Sequence, residues 1–326
     1  MPEPYLKIAK ELIRAESFAI AKLEDRIDDN FARIVELLYR IRGKVIITGV
    51  GKSGLVGRKI AATLASTGTP SFFIHAYEAG HGDIGSVSQN DALIVISNSG
   101  ETSEVLNLLP YLKKKKVLVV GFVGNVQSSL GKKCDIVINT GVSSEACPMG
   151  IVPTASTIVT LAMGDALAIA LMNKRKFKEL DFAGLHPGGS LGRRLLTTVE
   201  DLMHTGDEIP LATINDSMKQ VLFTMTQKGL GVVGILDQSG RLVGVITDGD
   251  LRRGLEQTGD FFHQAPAAIM SRNPKFVNSQ TLAIDALYQM EKYAVTNLFV
   301  FNGKQTGIPT GIIHIHDILR YGIMVK

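Results

Sequence analysis

The chain has 326 residues, of which 45% are hydrophobic and 6% aromatic, and its formal net charge is +4 at neutral pH. This length predicts about two domains, and the absence of tryptophan argues against the stacking surfaces that bind nucleic acid. The two cysteines make no disulfide framework. A reducing, cytoplasmic location is therefore expected.

The N-terminal segment predicts one long amphipathic helix over residues 4–41. Apolar residues such as Ile8, Leu12 and Ile34 recur there at helical spacing. Glutamates at positions 3, 11 and 16 interrupt the apolar residues, so the segment is not expected to be a signal peptide. Its long amphipathic surface is suited to packing against a partner chain.

Strands and helices alternate after this segment. Short, nearly all-apolar strands between helices are typical of a parallel sheet covered on both faces, which predicts an α/β fold. The most apolar helical stretch, residues 157–172, contains Asp165 and is too short to cross a bilayer, so no membrane contact is expected. The predicted strands span residues 44–48, 71–75, 92–97, 117–121 and 135–138, and the predicted helices span residues 54–66, 101–114 and 154–173.

The first strand is followed by a glycine-rich loop that admits three interpretations. Gly49, Gly51 and Gly54 match G-x-G-x-x-G, but a dinucleotide site needs an acid at the end of the next strand, and the nearest is Glu78, beyond it. Residues 51–53 are Gly-Lys-Ser, as in a P-loop, but the required preceding glycine is absent. Both remain minor alternatives to a simpler anion site at a helix start.

The loop after the strand at 92–97 is dense in hydroxyl groups. Ser97, Ser99 and Thr102 stand within six residues, just before a predicted helix, and no carboxylate cluster of the Mg²⁺-binding kind accompanies them. Free backbone N–H groups at a helix start, together with hydroxyl donors, suit an anion. The composition favours a sugar phosphate over a nucleoside triphosphate.

A Gly- and Pro-rich segment at residues 185–192 ends this α/β domain, which we assign to residues 1–196. The remainder, residues 197–326, contains an internal duplication, with copies at about residues 197–258 and 265–326. Each copy has the pattern helix, strand, strand and a final helix opened by an aspartate. One copy could scarcely bury its own apolar face, so the two are expected to share a core. The matched segments are residues 243–246 with 310–313 and residues 250–253 with 317–320.

These motifs together resemble a known family. Residues 1–196 resemble a sugar isomerase (SIS) domain, with its five-stranded, doubly wound parallel sheet, and residues 197–326 resemble a tandem pair of cystathionine-β-synthase (CBS) motifs. The combination is similar to the arabinose 5-phosphate isomerase family, which interconverts D-ribulose 5-phosphate and D-arabinose 5-phosphate through an enediol and supplies Kdo synthesis for lipopolysaccharide or capsule. The motifs that carry the resemblance are Gly-Lys-Ser-Gly at 51–54, Ser-Asn-Ser-Gly-Glu-Thr-Ser-Glu at 97–104, Glu-Ala-Cys-Pro at 145–148 and His-Pro-Gly-Gly at 186–189.

The resemblance implies distinct roles for the motif residues. Glu145 is implied as the base, in a setting where Cys147 and Pro148 are expected to raise its pKa. Lys52 is implied as the cation that stabilises enediolate or phosphate charge, Glu104 as an acid/base group or as the partner that orients Lys52, and His186 as the ring-opening or proton-shuttling group. The implied phosphate ligands are Ser97, Ser99 and Thr102, assisted by Ser53 and Asn98.

Isomerisation through an enediol needs no metal, so no cofactor is expected, and a metal held by His75 and His81 would be inhibitory or adventitious. The CBS resemblance implies a nucleotide at Thr247 and Asp250. The second copy has His314 where a hydroxyl is expected, which leaves its site doubtful, and a pure assembly role for the pair stays open.

The rival functions are a non-catalytic sugar-phosphate sensor and another phosphosugar isomerase of the same fold. SIS-like proteins commonly assemble with a histidine donated across the interface, so the resemblance implies a homotetramer.

Overall fold

A computed structural model describes residues 4–257, 261–303 and 307–324 of the chain. Contacts divide it into two compact units, with the boundary between Phe182 and Ala183. Residues 183–196, which we assigned to the first domain, thus fall with the second unit. The predicted ends of the two repeats, at residues 258 and 326, lie outside the described residues.

The N-terminal segment forms two helices, so the prediction of a single helix over residues 4–41 is wrong. Helix α1 spans Pro4–Ala21 and α2 spans Asp29–Arg40. The side chain of Asp28 accepts hydrogen bonds from the backbone N–H groups two and three residues on, at 2.9 and 3.1 Å. Such a capping aspartate starts a new helix, which the apolar spacing across the break concealed.

The first unit is built on a five-stranded, all-parallel sheet in the order β2-β1-β3-β4-β5, which confirms the predicted α/β fold. All five predicted strands are present to within about two residues. Every residue of β1 and β3 is buried, as expected for central strands covered on both faces. The strands are β1 Val45–Gly49, β2 Ser71–His75, β3 Ala92–Ser97, β4 Leu118–Val123 and β5 Ile136–Asn139.

Helices cover both faces of this sheet, as a doubly wound fold requires. Adjacent residues of β1 point to opposite faces, so Ile47 packs with one set of helices and Ile46 with the other. The predicted helix over residues 101–114 is two short helices, because Pro110 is best accommodated in the first turn of a new helix. The remaining helices of this unit are α3 Gly51–Ser66, α4 Ala76–Gly80, α5 Ser103–Leu106, α6 Leu109–Lys114, α7 Ser129–Lys133 and α8 Ala155–Lys174.

Helix α8 is four residues longer than the apolar stretch seen in the sequence. At 20 residues it is long and apolar enough to cross a membrane by length and composition alone. Half of its most apolar stretch is buried inside the protein, where it packs with α3 against the sheet. A single helix of this kind is weak evidence for a membrane span, since core helices of soluble proteins share these properties.

The second unit contains the predicted duplication. Its copies are α11-β7-β8-α12 and α14-β11-β12-α15, and Leu242 of one copy packs with Phe299 and Ile312 of the other in a shared core. The sheets have the orders β6-β7-β8-β9 and β10-β11-β12. The strands are β6 Leu211–Thr213, β7 Val232–Leu236, β8 Leu242–Thr247, β9 Ser271–Arg272, β10 Phe276–Asn278, β11 Asn297–Phe301 and β12 Gly311–His314. The helices are α9 Glu179–Leu185, which spans the boundary, α10 Ser190–Leu196, α11 Met218–Lys228, α12 Asp248–Gln257, α13 Pro266–Ile269, α14 Ala283–Tyr293 and α15 Ile315–Arg320.

The close approach of α3 and α8 predicts that Gly164 cannot be replaced without cost. A β-carbon at this position would lie 2.4 to 2.9 Å from three side-chain atoms of the fully buried Ile60. We expect Gly164→Ala to lower the free energy of unfolding by about 1–3 kcal/mol through overpacking. Denaturant unfolding measures this, with Gly184→Ala as the control, because Gly184 is also helical and has open space around it. Equal stability of the two variants would contradict the prediction.

Candidate active site

The crevice of the first unit lies where the strand order reverses. From β1 the chain crosses to β2 on one side, while β3 pairs on the other side of β1. In open α/β sheets, the loops after two such strands diverge and leave a crevice at their carboxyl ends. The glycine-rich loop after β1 and the hydroxyl-rich loop after β3 are therefore neighbours.

The loop after β1 leads directly into the long helix α3. Gly51 has a φ of +58°, a conformation that glycine adopts readily, and it begins the helix. Within the described part of the chain, Val50 at the N-cap position makes no side-chain hydrogen bond to the helix. The first N–H groups of a 16-residue helix thus remain available to an anion.

The hydroxyl groups of the second loop have different roles. Ser97 is 2% exposed, and its Oγ lies 2.9 Å from Thr102 Oγ1 and accepts the N–H of Gly100 at 3.0 Å. Gly100 has a φ of +69°, and a β-carbon there would lie 1.9 Å from Ser128 Oγ. The buried Ser97 side chain therefore stabilises the tight turn through its hydrogen bonds, whereas the Ser99 side chain is exposed to solvent.

A cavity of about 210 Å³ joins the two loops to the start of α8. It brings together three of the predicted residues, Lys52, Ser53 and Asn98. Sequence reasoning missed its other polar wall, which comes from the first turns of α8. The only sequence signal for that wall was the run of small hydroxyl residues after Pro153. The remaining lining residues are Val50, Val56, Pro153, Ser156, Thr157 and Thr160.

Glu145 is partly buried beside the N-terminus of α8. Its Oε2 accepts hydrogen bonds from the N–H of Thr154 at 2.8 Å, from Thr154 Oγ1 at 3.1 Å and from the N–H of Ser156 at 3.2 Å. Burial raises the pKa of the carboxyl, but the hydrogen bonds from Ser156 and Thr154 outweigh it and hold the pKa below its usual range. The expectation that Cys147 and Pro148 would raise this pKa is therefore wrong.

Glu104 lies at the start of α5 and accepts a hydrogen bond from Ser103 Oγ at 2.9 Å. Its own backbone N–H, that hydroxyl and the nearby charge of His75 together lower the pKa of its carboxyl. Among the described residues, no ion pair joins Lys52 to Glu104 or Glu145. The predicted orientation of Lys52 by Glu104 is therefore not supported by an ion pair among the described residues.

His75 and His81 lie at the edge strand β2 and in the turn beyond it. His75 Nδ1 accepts the N–H of Tyr77 at 3.3 Å, and the Tyr77 and His81 rings lie 4.5 Å apart. Within residues 4–257, 261–303 and 307–324, no three His, Cys, Asp or Glu side chains converge as metal ligands. The inhibitory metal at this histidine pair stays a prediction.

His186 belongs to the second compact unit. Its backbone carbonyl accepts the N–H of Gly189 at 3.0 Å, which closes a turn just before α10. The catalytic role of His186 stays a prediction.

The second unit has a cleft of about 440 Å³ between its two copies. Asp250 lies in its wall and accepts hydrogen bonds from the N–H of Thr247 at 2.9 Å, from Thr247 Oγ1 at 2.7 Å and from Arg253 at 2.6 Å. Lys275 also lines this cleft, so cationic groups and the Thr247–Asp250 pair face one space. This arrangement suits a phosphorylated nucleoside, the ligand class implied for the pair.

The corresponding corner of the second copy is built from histidines. Asp317 takes the place of Asp250 and contacts His204 Nε2 at 3.0 Å, while His204 Nδ1 lies 3.1 Å from Glu208 Oε2. His314 Nδ1 accepts the N–H of His316 at 3.1 Å and caps α15. The two copies are therefore chemically different, in line with the doubt about a second nucleotide site.

Two domain families match the chain. The SIS domain family matches residues 37–170, and the CBS domain family matches residues 199–257 and 267–323. The gap between the two CBS matches lies between the two copies of the duplication.

Similar proteins cover nearly all of the chain. "Arabinose 5-phosphate isomerase KdsD" of Yersinia pestis is 45% identical over 320 residues, which are 98% of this chain and 97% of the relative. The protein of the same name from Pseudomonas aeruginosa is 44% identical over 320 residues, or 98% of each chain. Among solved structures, the c3406 protein of E. coli CFT073 in complex with arabinose 5-phosphate is 43% identical with a TM-score of 0.56, covering 57% of this chain and 100% of that one.

The neutral cap at α15 predicts an acid-sensitive second unit. Burial, followed by the nearby charge of His316, lowers the pKa of His314 despite the opposing effect of Asp317, and His204 and Arg320 lower it further. The unfolded chain takes up a proton below about pH 6.5, where folded His314 still resists it, so stability is lost as the pH falls.

We expect His314→Asn to remove the part of the acid-induced loss of stability that comes from His314, because asparagine also caps a helix but does not titrate. Thermal unfolding at about pH 7.5 and pH 5.5, on either side of the ordinary histidine pKa, measures the difference. The variant should lose less stability than the wild type on acidification. Parallel losses in the two proteins would contradict the prediction.

Proposed function

Because this chain belongs to the arabinose 5-phosphate isomerase family, we propose that it interconverts D-ribulose 5-phosphate and D-arabinose 5-phosphate. The observation that carries the proposal is the cavity at the strand-order reversal, where Lys52, Ser53 and Asn98 meet the free N-terminus of α3. A cation and N–H donors at one end of a polar cavity suit a phosphate ester, and the hydroxyl-lined wall of α8 suits a sugar chain.

The proposed chemistry moves one proton between two neighbouring carbons. The Glu145 carboxylate takes the proton from C2 of the aldose while the C1 carbonyl oxygen gains a proton, which gives the enediol. Glu145 then returns its proton to C1 while the C2 hydroxyl loses its proton, which gives the C2 carbonyl of the ketose. The lowered pKa of Glu145 keeps it ionised near neutrality, as a base must be. Because the three hydrogen bonds from Thr154 and the Ser156 N–H all end on Oε2, we expect Oε1 to receive the carbon-bound proton.

The other motif residues complete the proposal. Lys52 stabilises the developing enediolate or the phosphate charge, because its cationic side chain lines the cavity. Glu104 assists proton transfer between the oxygens, and His186 opens the ring form of the sugar. The phosphate is assigned to Ser53, Ser97, Asn98, Ser99 and Thr102, with Ser97 acting mainly through the shape of its loop.

The proposal extends to the setting of the enzyme. Its product would supply Kdo synthesis for lipopolysaccharide or capsule, in the cytoplasm and without a cofactor. Residues 1–196 would carry the catalysis, while the CBS pair binds a nucleotide at Thr247 and Asp250. We further propose a homotetramer, because helix α1 has no buried residue among the described ones and exposes Ile13 and Phe18 to 61% each.

Replacing the base provides the first test. Glu145→Gln should lower turnover at least ~10²-fold with little change in KM, since glutamine keeps an acceptor for Thr154 and Ser156 but takes no proton. Steady-state assays with ribulose 5-phosphate, followed by NMR of the aldose formed, measure both the activity and its product. Glu24→Gln, an exposed glutamate outside the cavity, is the matched control. Near-normal exchange of the C1 or C2 proton with solvent deuterium in Glu145→Gln would remove Glu145 from this role.

Subunit exchange provides the second test, of a site completed by His186 from another copy. Glu145→Gln and His186→Ala should each be inactive alone, and mixing them should restore up to roughly a quarter of wild-type activity. Random exchange makes half of the dimers hybrid, and each hybrid dimer has one intact site of two. Complete exchange, verified by mass spectrometry, without any recovered activity would show that each site uses its own His186.

A further inference from the structure

We propose that Thr154 is a positioning residue that holds the Glu145 carboxylate in place for proton transfer. The inference rests on the proposed function, because it gives Thr154 a role only through Glu145. Thr154 contacts Glu145 Oε2 through both its backbone N–H and its hydroxyl, and the N–H of Ser156 completes the set of three bonds.

The Thr154 hydroxyl links the last residue of the loop between β5 and α8 to Glu145 and Ala146 within that loop. It donates to Glu145 Oε2 at 3.1 Å, and it accepts the backbone N–H of Ala146 at 3.0 Å. Because the amide of Ala146 can only donate, the hydroxyl proton must point toward the carboxylate. One atom therefore fixes both the side chain of Glu145 and the peptide that follows it.

The same hydroxyl does not serve as an ordinary helix cap. Thr154 occupies the N-cap position of α8, yet within the described residues its side chain makes no hydrogen bond to the helix N–H groups. The N–H of Ser156 is instead taken by Glu145 Oε2 at 3.2 Å. A threonine at this position ordinarily caps its own helix. The hydroxyl of Thr154 instead forms hydrogen bonds with the loop that carries Glu145, which indicates a role beyond helix stability.

That task follows from the position of Glu145 beside the cavity. Ser156, which donates to its carboxylate, also lines the cavity with Lys52 and Asn98. A carboxylate tied at this point stays at a fixed distance from any molecule in the cavity. Displacing a reacting group by about 1 Å can cost ~10²-fold in rate. Loss of the hydrogen bond from the Thr154 hydroxyl to Glu145 Oε2 should therefore slow the chemical step.

Four variants test the proposal. Thr154→Val removes the hydroxyl and keeps the shape, Thr154→Ser keeps the hydroxyl, and Glu145→Gln and the double variant Thr154→Val with Glu145→Gln complete a mutant cycle. Thr63→Val is the matched control, since Thr63 lies within helix α3 and its hydroxyl donates to the backbone carbonyl of Lys59, away from Glu145. Circular dichroism and thermal melting verify folding, and Thr154→Ala replaces Thr154→Val if the latter does not fold.

We expect Thr154→Val to lower kcat by ~10- to 100-fold with KM changed by less than about threefold, while Thr154→Ser stays close to wild type. The double variant should be no slower than Glu145→Gln alone, because Thr154 acts only through that carboxylate. Wild-type kcat in Thr154→Val, a Thr154→Ser variant as slow as Thr154→Val, or a further loss in the double variant would overturn the inference.

These outcomes separate the inference from the function on which it rests. If wild-type protein forms no arabinose 5-phosphate, the proposed function fails. If the wild type forms it but Glu145→Gln is fully active, Glu145 is not the base, and the role of Thr154 fails with it while the function stands. If Glu145→Gln is inactive while folded Thr154→Val is as active as wild type, only the role of Thr154 fails.

Discussion

Parallel pairing of β1 with β3 is the constraint on which the candidate site depends. Because the chain reaches β2 and β3 on opposite sides of β1, the loops after β1 and β3 must diverge around a crevice. Both strands are completely buried, so their registers are fixed by the packing of both faces. The polar residues of the site can therefore lie on short loops and still be held in place by a rigid sheet.

The third wall of the crevice depends on a different interaction. Helix α8 begins next to the loop of Glu145, and that carboxylate satisfies N–H groups of Thr154 and Ser156 that a helix end otherwise leaves unpaired. One acidic side chain thereby joins the loop after β5 to the helix that lines the cavity. The same hydrogen bonds stabilise the ionised form of Glu145. The contacts that hold the start of α8 therefore also keep the proposed base deprotonated.

Most of the first unit could be predicted from the sequence, because apolar strands and strand–loop–helix signals are local. The errors arose where a single polar or cyclic residue overrides periodicity, as Asp28 does between α1 and α2 and Pro110 does at α6. The pKa of Glu145 could not be predicted, since its donors Thr154 and Ser156 lie nine and eleven residues further along the chain. The contribution of α8 to the cavity wall was missed for the same reason. Its hydroxyl groups can be assigned to the cavity only when the position of the helix relative to the loops after β1 and β3 is known.

Helix α1 has a thermodynamic consequence of its own. All of its 18 residues are described and none is fully buried, so packing within its own unit stabilises it only in part, and most helical stability in proteins comes from such packing. If a second copy of the chain covers it, as we propose, helix formation and association become one linked equilibrium. The N-terminal helix would then melt at a temperature that rises with protein concentration, while the sheet beneath keeps a melting point of its own.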